Sequence, residues 1–239
     1  MSRRAIWRLG VGAVFVVGVL GLVKGFLAQG PSPVSATSIV VPSVTRLGGS
    51  SAFADLTVLR RLSLRSAPRA TSLIVEIPSL RVVIPVLAVG ITPSGAMDAP
   101  EGGASSPNWG SAFWYRGGSI PGQSGVATIA GHVDDMYGRF AAFSALGSLH
   151  VGASILLIDR LTGVQEEFVA TSTQSFSLAA SSTLPVLDLV YGWGPPHGHE
   201  GLPSKNGASY LRLITCSGSW DPSTGTHGDR LVVSAVRVS

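Results

Sequence analysis

From residue 71 onward, short β-branched or leucine-rich runs alternate with clusters of Gly, Pro, Ser and Asp, a punctuation that predicts strands. Eight such runs lie at 72–77, 82–89, 126–130, 154–158, 166–172, 186–190, 210–216 and 231–238. Strands without sustained βαβ alternation suit a barrel or a sandwich and argue against a doubly wound sheet. No Gly-x-Gly-x-x-Gly or phosphate-loop pattern follows any of them. Between the third and fourth runs, Phe140, Phe143 and Leu146 recur every three residues with Gly147 behind them. That spacing and stop predict one short helix over 136–146.

The pattern upstream is different. Phe53, Leu56, Leu59 and Leu62 recur at about helical spacing, with Arg60, Arg61 and Arg65 off that stripe. A basic amphipathic helix for a membrane surface and a helix packed on the main domain both satisfy this arrangement. The stretch 28–70 is otherwise rich in Ser, Pro, Val and Ala, with Pro31, Pro33 and Pro42 spaced through its first part, as in an extended tether. Residues 1–27 open with Arg3, Arg4 and Arg8, run uncharged over 9–23, and add Gly25, Phe26 and Leu27 behind Lys24. A spanning helix needs roughly 20 apolar residues, and a snorkelling Lys24 extends the usable length through Leu27. The expectation is a retained membrane anchor; a signal peptide cleaved at the weak small-residue sites within 34–37 is the rival. Arginines ahead of the span place the amino terminus in the cytoplasm and the remainder outside. The expected organisation is therefore an anchor over 1–27, an extracytoplasmic linker over 28–70 and a β domain over 71–239, in a single-pass protein of the cell membrane.

Charge changes the reading of partners. The formal net charge is +4, but nine of the seventeen Lys and Arg and only one of the thirteen acids precede residue 70. Residues 1–69 thus carry +8 and residues 70–239 carry −4. A mildly acidic folded part disfavours nucleic acid, which needs a basic face on the domain itself. The basic stalk fits anionic lipid headgroups or surface polymers.

Against this background one residue stands out, because Cys216 is the single cysteine. It cannot form an internal disulfide, and an isolated thiol at a strand end is more often simply packed. His132 closes the run 126–130 and Arg230 precedes the run 231–238. A thiolate attacks carbonyls, an imidazole exchanges protons near neutral pH, and a guanidinium keeps a fixed charge suited to an oxyanion. Together they are the parts of a cysteine acyl-transfer site. Taken singly, His132 also reads as a hydrogen-bonded structural histidine, and Arg230 as an edge charge paired with Asp229 or Asp221. Thr215, beside the thiol, is a candidate for substrate or oxyanion support, or a β-branched packing residue. Asp134 and Asp135 either orient His132 or turn the chain. The segment His197-Gly198-His199-Glu200 has zinc-type donors, but its Pro and Gly surroundings suit a loop better than a metal centre, and no metal or cofactor is expected.

Thr215-Cys216, the Thr224-Gly225 loop, Arg230 and the upstream Gly131-His132 resemble the sortases, the surface transpeptidases of Gram-positive bacteria. Further likeness runs through Val75-Glu76-Ile77-Pro78, Trp114-Tyr115, Pro121-Gly122, Ala130-Gly131-His132-Val133-Asp134 and Val190-Tyr191-Gly192, covering about 72–238. The Ala-Gly-His-Val-Asp form looks most like the actinobacterial class E and class F branches. No Asp-Pro-aromatic lid of the kind seen in pilin-assembling class C members precedes residue 72. The resemblance implies a closed eight-stranded β-barrel with one or two short helices, and His132, Cys216 and Arg230 as catalytic residues with Thr215 on the substrate. It implies cleavage of a Leu-Pro-x-Thr-Gly-like or Leu-Ala-x-Thr-Gly-like sorting signal in secreted proteins and transfer to a cell-wall or protein amine. A cysteine hydrolase releasing to water shares the chemistry up to the acyl-enzyme, although papain-like and cell-wall amidase enzymes place Cys before His. A catalytically silent surface-binding domain is the third reading.

Overall fold

The computed structural model describes residues 53–192 and 201–238. Eight strands close into one barrel: β1 (Arg69–Ile77), β2 (Val82–Val89), β3 (Ala112–Tyr115), β4 (Gly125–Gly131), β5 (Ser154–Asp159), β6 (Gln165–Ser177), β7 (Ser209–Asp221) and β8 (Thr226–Arg237). Their order around the barrel is β1-β2-β3-β4-β7-β8-β6-β5. Pairs are antiparallel except β2 with β3 and β4 with β7, which are parallel. Among the described residues three α-helices accompany them: α1 (Ala54–Arg60), α2 (Leu178–Ser181) and α3 (Leu184–Tyr191). The expected barrel is present. The expected anchor over 1–27 lies outside the described residues, among which no helix is long and apolar enough to cross a membrane.

Two expected elements are replaced. The run 186–190 is not a strand but the body of α3, with Pro185 in the first turn and Gly192 at φ 63° just past the end. A five-residue apolar run fits either period, and only these flanks distinguish a helix. The eighth strand is instead β3, four residues long and buried at every position. Such a strand has no polar alternation to betray it.

The helix expected over 136–146 does not form. Asp135 Oδ1 accepts from the backbone N–H groups of Tyr137 and Arg139, Gly138 sits at φ 73°, and Asp134 bridges to Phe140. A left-handed residue ends helical propagation. Phe143 and Leu146 are nevertheless buried, brought to the core by successive turns and a short 3₁₀ segment over Leu146–Ser148, whereas Phe140 is 93% exposed. Three-residue spacing in this stretch reflects turns rather than a helix.

The barrel interior holds Val75, Ile77, Val86, Trp114, Ile129, Leu157, Phe168, Leu211, Leu213 and Val233, alternate positions of their strands, as a closed sheet requires. Helix α1 packs on this core through Phe53 and Leu56, both 0% exposed, so the helix of the upstream stripe is a packed one. Asp55 fastens it to β1 by accepting from the Ser72 backbone N–H and hydroxyl. Replacing Leu56 with Ala removes a fully enclosed side chain and should cost about 2–5 kcal/mol, read as a lower urea midpoint with unchanged slope.

Candidate active site

The site is built on the outer face of the barrel. Leu211 and Leu213 point into the core, so Arg212, Ile214 and Cys216, at alternate positions of β7, point out. Register pairs Cys216 directly with Arg230 of β8 and Ile214 with Val232. Directly opposed residues of an antiparallel pair have Cβ atoms about 4.5–5.5 Å apart, so thiol and guanidinium are neighbours by construction. On the other side of β7, parallel β4 pairs Ala130 with Ile214. Continuing that register two positions sets His132, the residue after β4, level with Cys216. All three line one cleft of about 670 Å³, with Thr215 beside them. Cys216 is half-buried, not sealed in the core.

Each of the three is held differently. The His132 carbonyl accepts from the Phe143 N–H at 2.8 Å, and the Phe143 ring lies where a Cβ on Gly131 would be, at 2.6 Å. The imidazole stands against Trp109 and Phe113, at centroid distances of 4.8 and 5.3 Å, with Nε2 3.3 Å from the Pro100 carbonyl oxygen. A carbonyl only accepts, so Nε2 is the protonated nitrogen in this contact. Arg230 donates through one terminal nitrogen to the His227 and Asp229 carbonyls and through the other to Thr226 Oγ1. Three of its five N–H donors are thereby used and two remain. Among the described residues it forms no ion pair, so the edge-charge alternative with Asp229 or Asp221 does not describe it. Thr215 is 4% exposed and its Oγ1 has no hydrogen-bond partner among the described residues.

Apart from Tyr191, the walls come from residues that sequence reasoning missed. Helices α2 and α3 form one side through Leu178, Val186, Leu187 and Tyr191, and residues 94–101 form the other, contributing Met97 and the carboxylate of Glu101. Thr128 of β4 and Arg212 of β7 are cross-strand partners, and they donate to adjacent carbonyls at the end of α3, Val190 at 2.6 Å and Leu189 at 3.0 Å. A cation at a helix C-terminus satisfies orphan carbonyls and meets the negative end of the dipole. Burial pushes Arg212 below the usual guanidinium range, with Tyr210 beside it acting the opposite way. Desolvation also pushes the Tyr191 phenol up to about 12, so this wall stays uncharged at neutral pH.

Asp135 makes the turn after His132 and the Asp134 backbone closes it by bridging to Phe140, but the Asp134 side chain has a further role. Its carboxylate reaches His227 Nε2 at 3.0 Å, while His227 Nδ1 lies 3.0 Å from the Gly218 carbonyl oxygen. Both partners are acceptors, so this geometry is satisfied in full by the doubly protonated ring. The clasp ties the chain after His132 to the β7–β8 hairpin that carries Cys216 and Arg230. No signal in the sequence links residues 93 positions apart. Among the described residues no group of three His, Cys, Asp or Glu is arranged to hold a metal, and 197–200 lie outside them.

The sortase domain model matches residues 75–238, more than half of the chain and all eight strands in whole or part. The chain belongs to the sortase family. Sortases are cysteine transpeptidases, and this chain is an enzyme of that type. Family membership implies surface-protein substrates with sorting signals and an amine acceptor in general. Among solved structures it is similar to a lid mutant of sortase A from Corynebacterium diphtheriae, at 15% identity and a TM-score of 0.47, covering 73% of each chain. The match to the C. diphtheriae sortase A itself has 15% identity and a TM-score of 0.46, covering 73% of this chain and 63% of that one. Sortase C-1 from Actinomyces oris matches at 18% identity and a TM-score of 0.45, covering 70% of this sortase and 73% of that chain. No curated protein matches.

Removing the clasp should loosen both segments it joins. Asp134→Ala is expected to raise amide hydrogen exchange across 133–140 and 217–228 by an amount corresponding to about 0.5–1 kcal/mol of local opening. Unchanged exchange in either segment would show that the pair carries no load.

Proposed function

We propose that this sortase cleaves a C-terminal sorting signal through a thioacyl intermediate on Cys216 and passes the acyl group to a cell-wall amine. The observation that carries this reading is the β7–β8 register, which sets Cys216 opposite Arg230 on an open face with His132 at the end of the adjacent strand. The Cys216 thiolate attacks the scissile carbonyl carbon, forming the C–S bond while the carbonyl electrons move onto oxygen. The two N–H donors that Arg230 has left suit that oxyanion, and Thr215, which lines the cleft beside the thiol, suits the adjacent substrate backbone. His132 gives its proton to the departing amine nitrogen as the C–N bond breaks. In the second half it takes a proton from the incoming amine, which attacks the thioester and releases the thiolate. A guanidinium cannot do this proton work, which leaves it to the imidazole.

The apolar wall of Val186, Leu187, Val190 and Tyr191 suits the aliphatic position of a Leu-Pro-x-Thr-Gly-like or Leu-Ala-x-Thr-Gly-like signal. The Ala-Gly-His-Val-Asp segment supports a place near the class E and class F branches. The arginines ahead of the apolar run in residues 1–27 support a single membrane anchor, with the linker and the barrel over 71–239 outside.

Incubation with sorting-signal peptides and a panel of amines, followed by mass spectrometry, should reveal an acyl adduct on Cys216 and an amide product. Water as the sole acceptor would make the enzyme a hydrolase. Cys216→Ala should abolish the adduct without shifting the unfolding midpoint. Arg230→Ala and His132→Ala should each lower kcat/KM by about 10²–10⁴-fold. A retained adduct in Cys216→Ala, or full activity in Arg230→Ala, would refute the assigned roles.

A further inference from the structure

A second cavity, of about 570 Å³, lies between the end of α1, the strap of residues that follows it and the turn between β3 and β4. It shares no lining residue with the catalytic cleft. Arg60, Arg61 and Arg116 line it, no carboxylate does, and Thr57, Ser63 and Gln123 add neutral polar groups. Arg116 is the unusual member. Its side chain is 1% exposed; one terminal nitrogen donates to the Ser66 carbonyl at 2.8 Å, while Nε and the other terminal nitrogen have no partner among the described residues. Leaving guanidinium donors unpaired and out of water is costly, so such groups in proteins are usually met by an anion. Burial, with Arg69 nearby, pushes Arg116 below the usual guanidinium range, the direction expected where counter-charge is missing.

The backbone around Arg116 is fixed. Its N–H donates to the Val89 carbonyl at the end of β2, and the Ile91 N–H donates to the Leu64 carbonyl of the strap. Gly90 permits this approach, because a Cβ there would meet the Leu64 oxygen at 1.7 Å and an Arg116 terminal nitrogen at 2.9 Å. The guanidinium is therefore held at the cavity wall by the packing of three segments, and its unmet donors belong to the fold rather than to a mobile side chain.

We infer that this cavity is an anion site that takes a phosphate group, with buried Arg116 as its fixed donor and Arg60 and Arg61 at its rim. Three guanidinium groups without a carboxylate suit an anion of more than one charge, and tetrahedral oxygens accept donors from several directions where a carboxylate accepts mainly in one plane. The volume exceeds what inorganic phosphate fills, so a phosphate ester enters as readily.

Thermal unfolding of the full chain, followed by tryptophan fluorescence in mild non-ionic detergent, tests this against sodium chloride at matched ionic strength. The two probes are inorganic phosphate and dihexanoylphosphatidylglycerol below its micellar concentration. A ligand that binds only the folded state raises the midpoint saturably. The expected result is such a rise for the unaltered chain, with about tenfold or more ligand needed in Arg60→Gln/Arg61→Gln and no rise in Arg116→Gln. Saturation at lower concentration with the lipid identifies a headgroup as the source, and the reverse order identifies free phosphate. An equal rise in the unaltered chain and the Arg60→Gln/Arg61→Gln chain, or no saturable rise with either probe, overturns the inference. The double variant decides alone if Arg116→Gln does not fold, since Arg61 is exposed and Arg60 only partly buried.

Discussion

The register between β7 and β8 is the constraint on which the rest of the site depends. Cys216 and Arg230 are fourteen residues apart in the chain and face each other because the two strands are paired along nearly their full lengths. A slip of one residue would turn one of them into the barrel and leave the other outside. That slip is blocked by packing, because the same register buries Leu211 and Leu213 of β7 with Val233 and Ala235 of β8. The hydrophobic core and the Cys216–Arg230 pair are thus two faces of one pairing. Stabilising the interior fixes the geometry outside.

Parallel pairing with β4 brings the third group. Parallel neighbours run in the same direction, so the ends of β4 and the reactive part of β7 arrive at the same end of the barrel. His132 emerges there, held from behind by Phe143 and from the side by Trp109 and Phe113. Cross-strand partners Thr128 and Arg212 then use the outward face of the same pair to hang α3 over the cleft by its terminal carbonyls. One strand pair therefore positions the imidazole and supports the opposing wall. The buried cation is tolerated because two of its donors meet the Leu189 and Leu211 carbonyls.

A contrast between the two buried arginines gives the molecule a second theme. Arg212 finds the end of a helix, donating to the Leu189 carbonyl there and to the Leu211 carbonyl of its own strand. Arg116 finds one carbonyl and keeps donors to spare beside two further arginines. The same residue type, buried in both places, serves as a structural joint in one and as an open site in the other. The surroundings, not the residue, decide which.

Much of the fold was legible because it is written locally. Seven of the eight strands announced themselves through β-branched runs between turn residues, and the barrel followed from the family likeness carried by Thr215-Cys216, Gly131-His132 and Arg230. Cys216 stood out as the single cysteine, but only His132 and Arg230 at other strand ends, with the family likeness, gave that thiol a chemical reading. Sequence failed where two periods fit the same short run, as at 186–190, or where a strand was buried on both sides, as at Ala112–Tyr115. It failed again at 136–146, where three-residue spacing came from turns around Gly138. Contacts spanning the chain were beyond it altogether: the Asp134–His227 clasp, the capping of α3 by Thr128 and Arg212, and the unmet donors of Arg116. Local propensity depends on neighbours in the chain, so the residues themselves determined most of the strands and named the candidate groups. Which groups meet, and which are left without a partner, depends on barrel closure and register, and only the tertiary structure decided that.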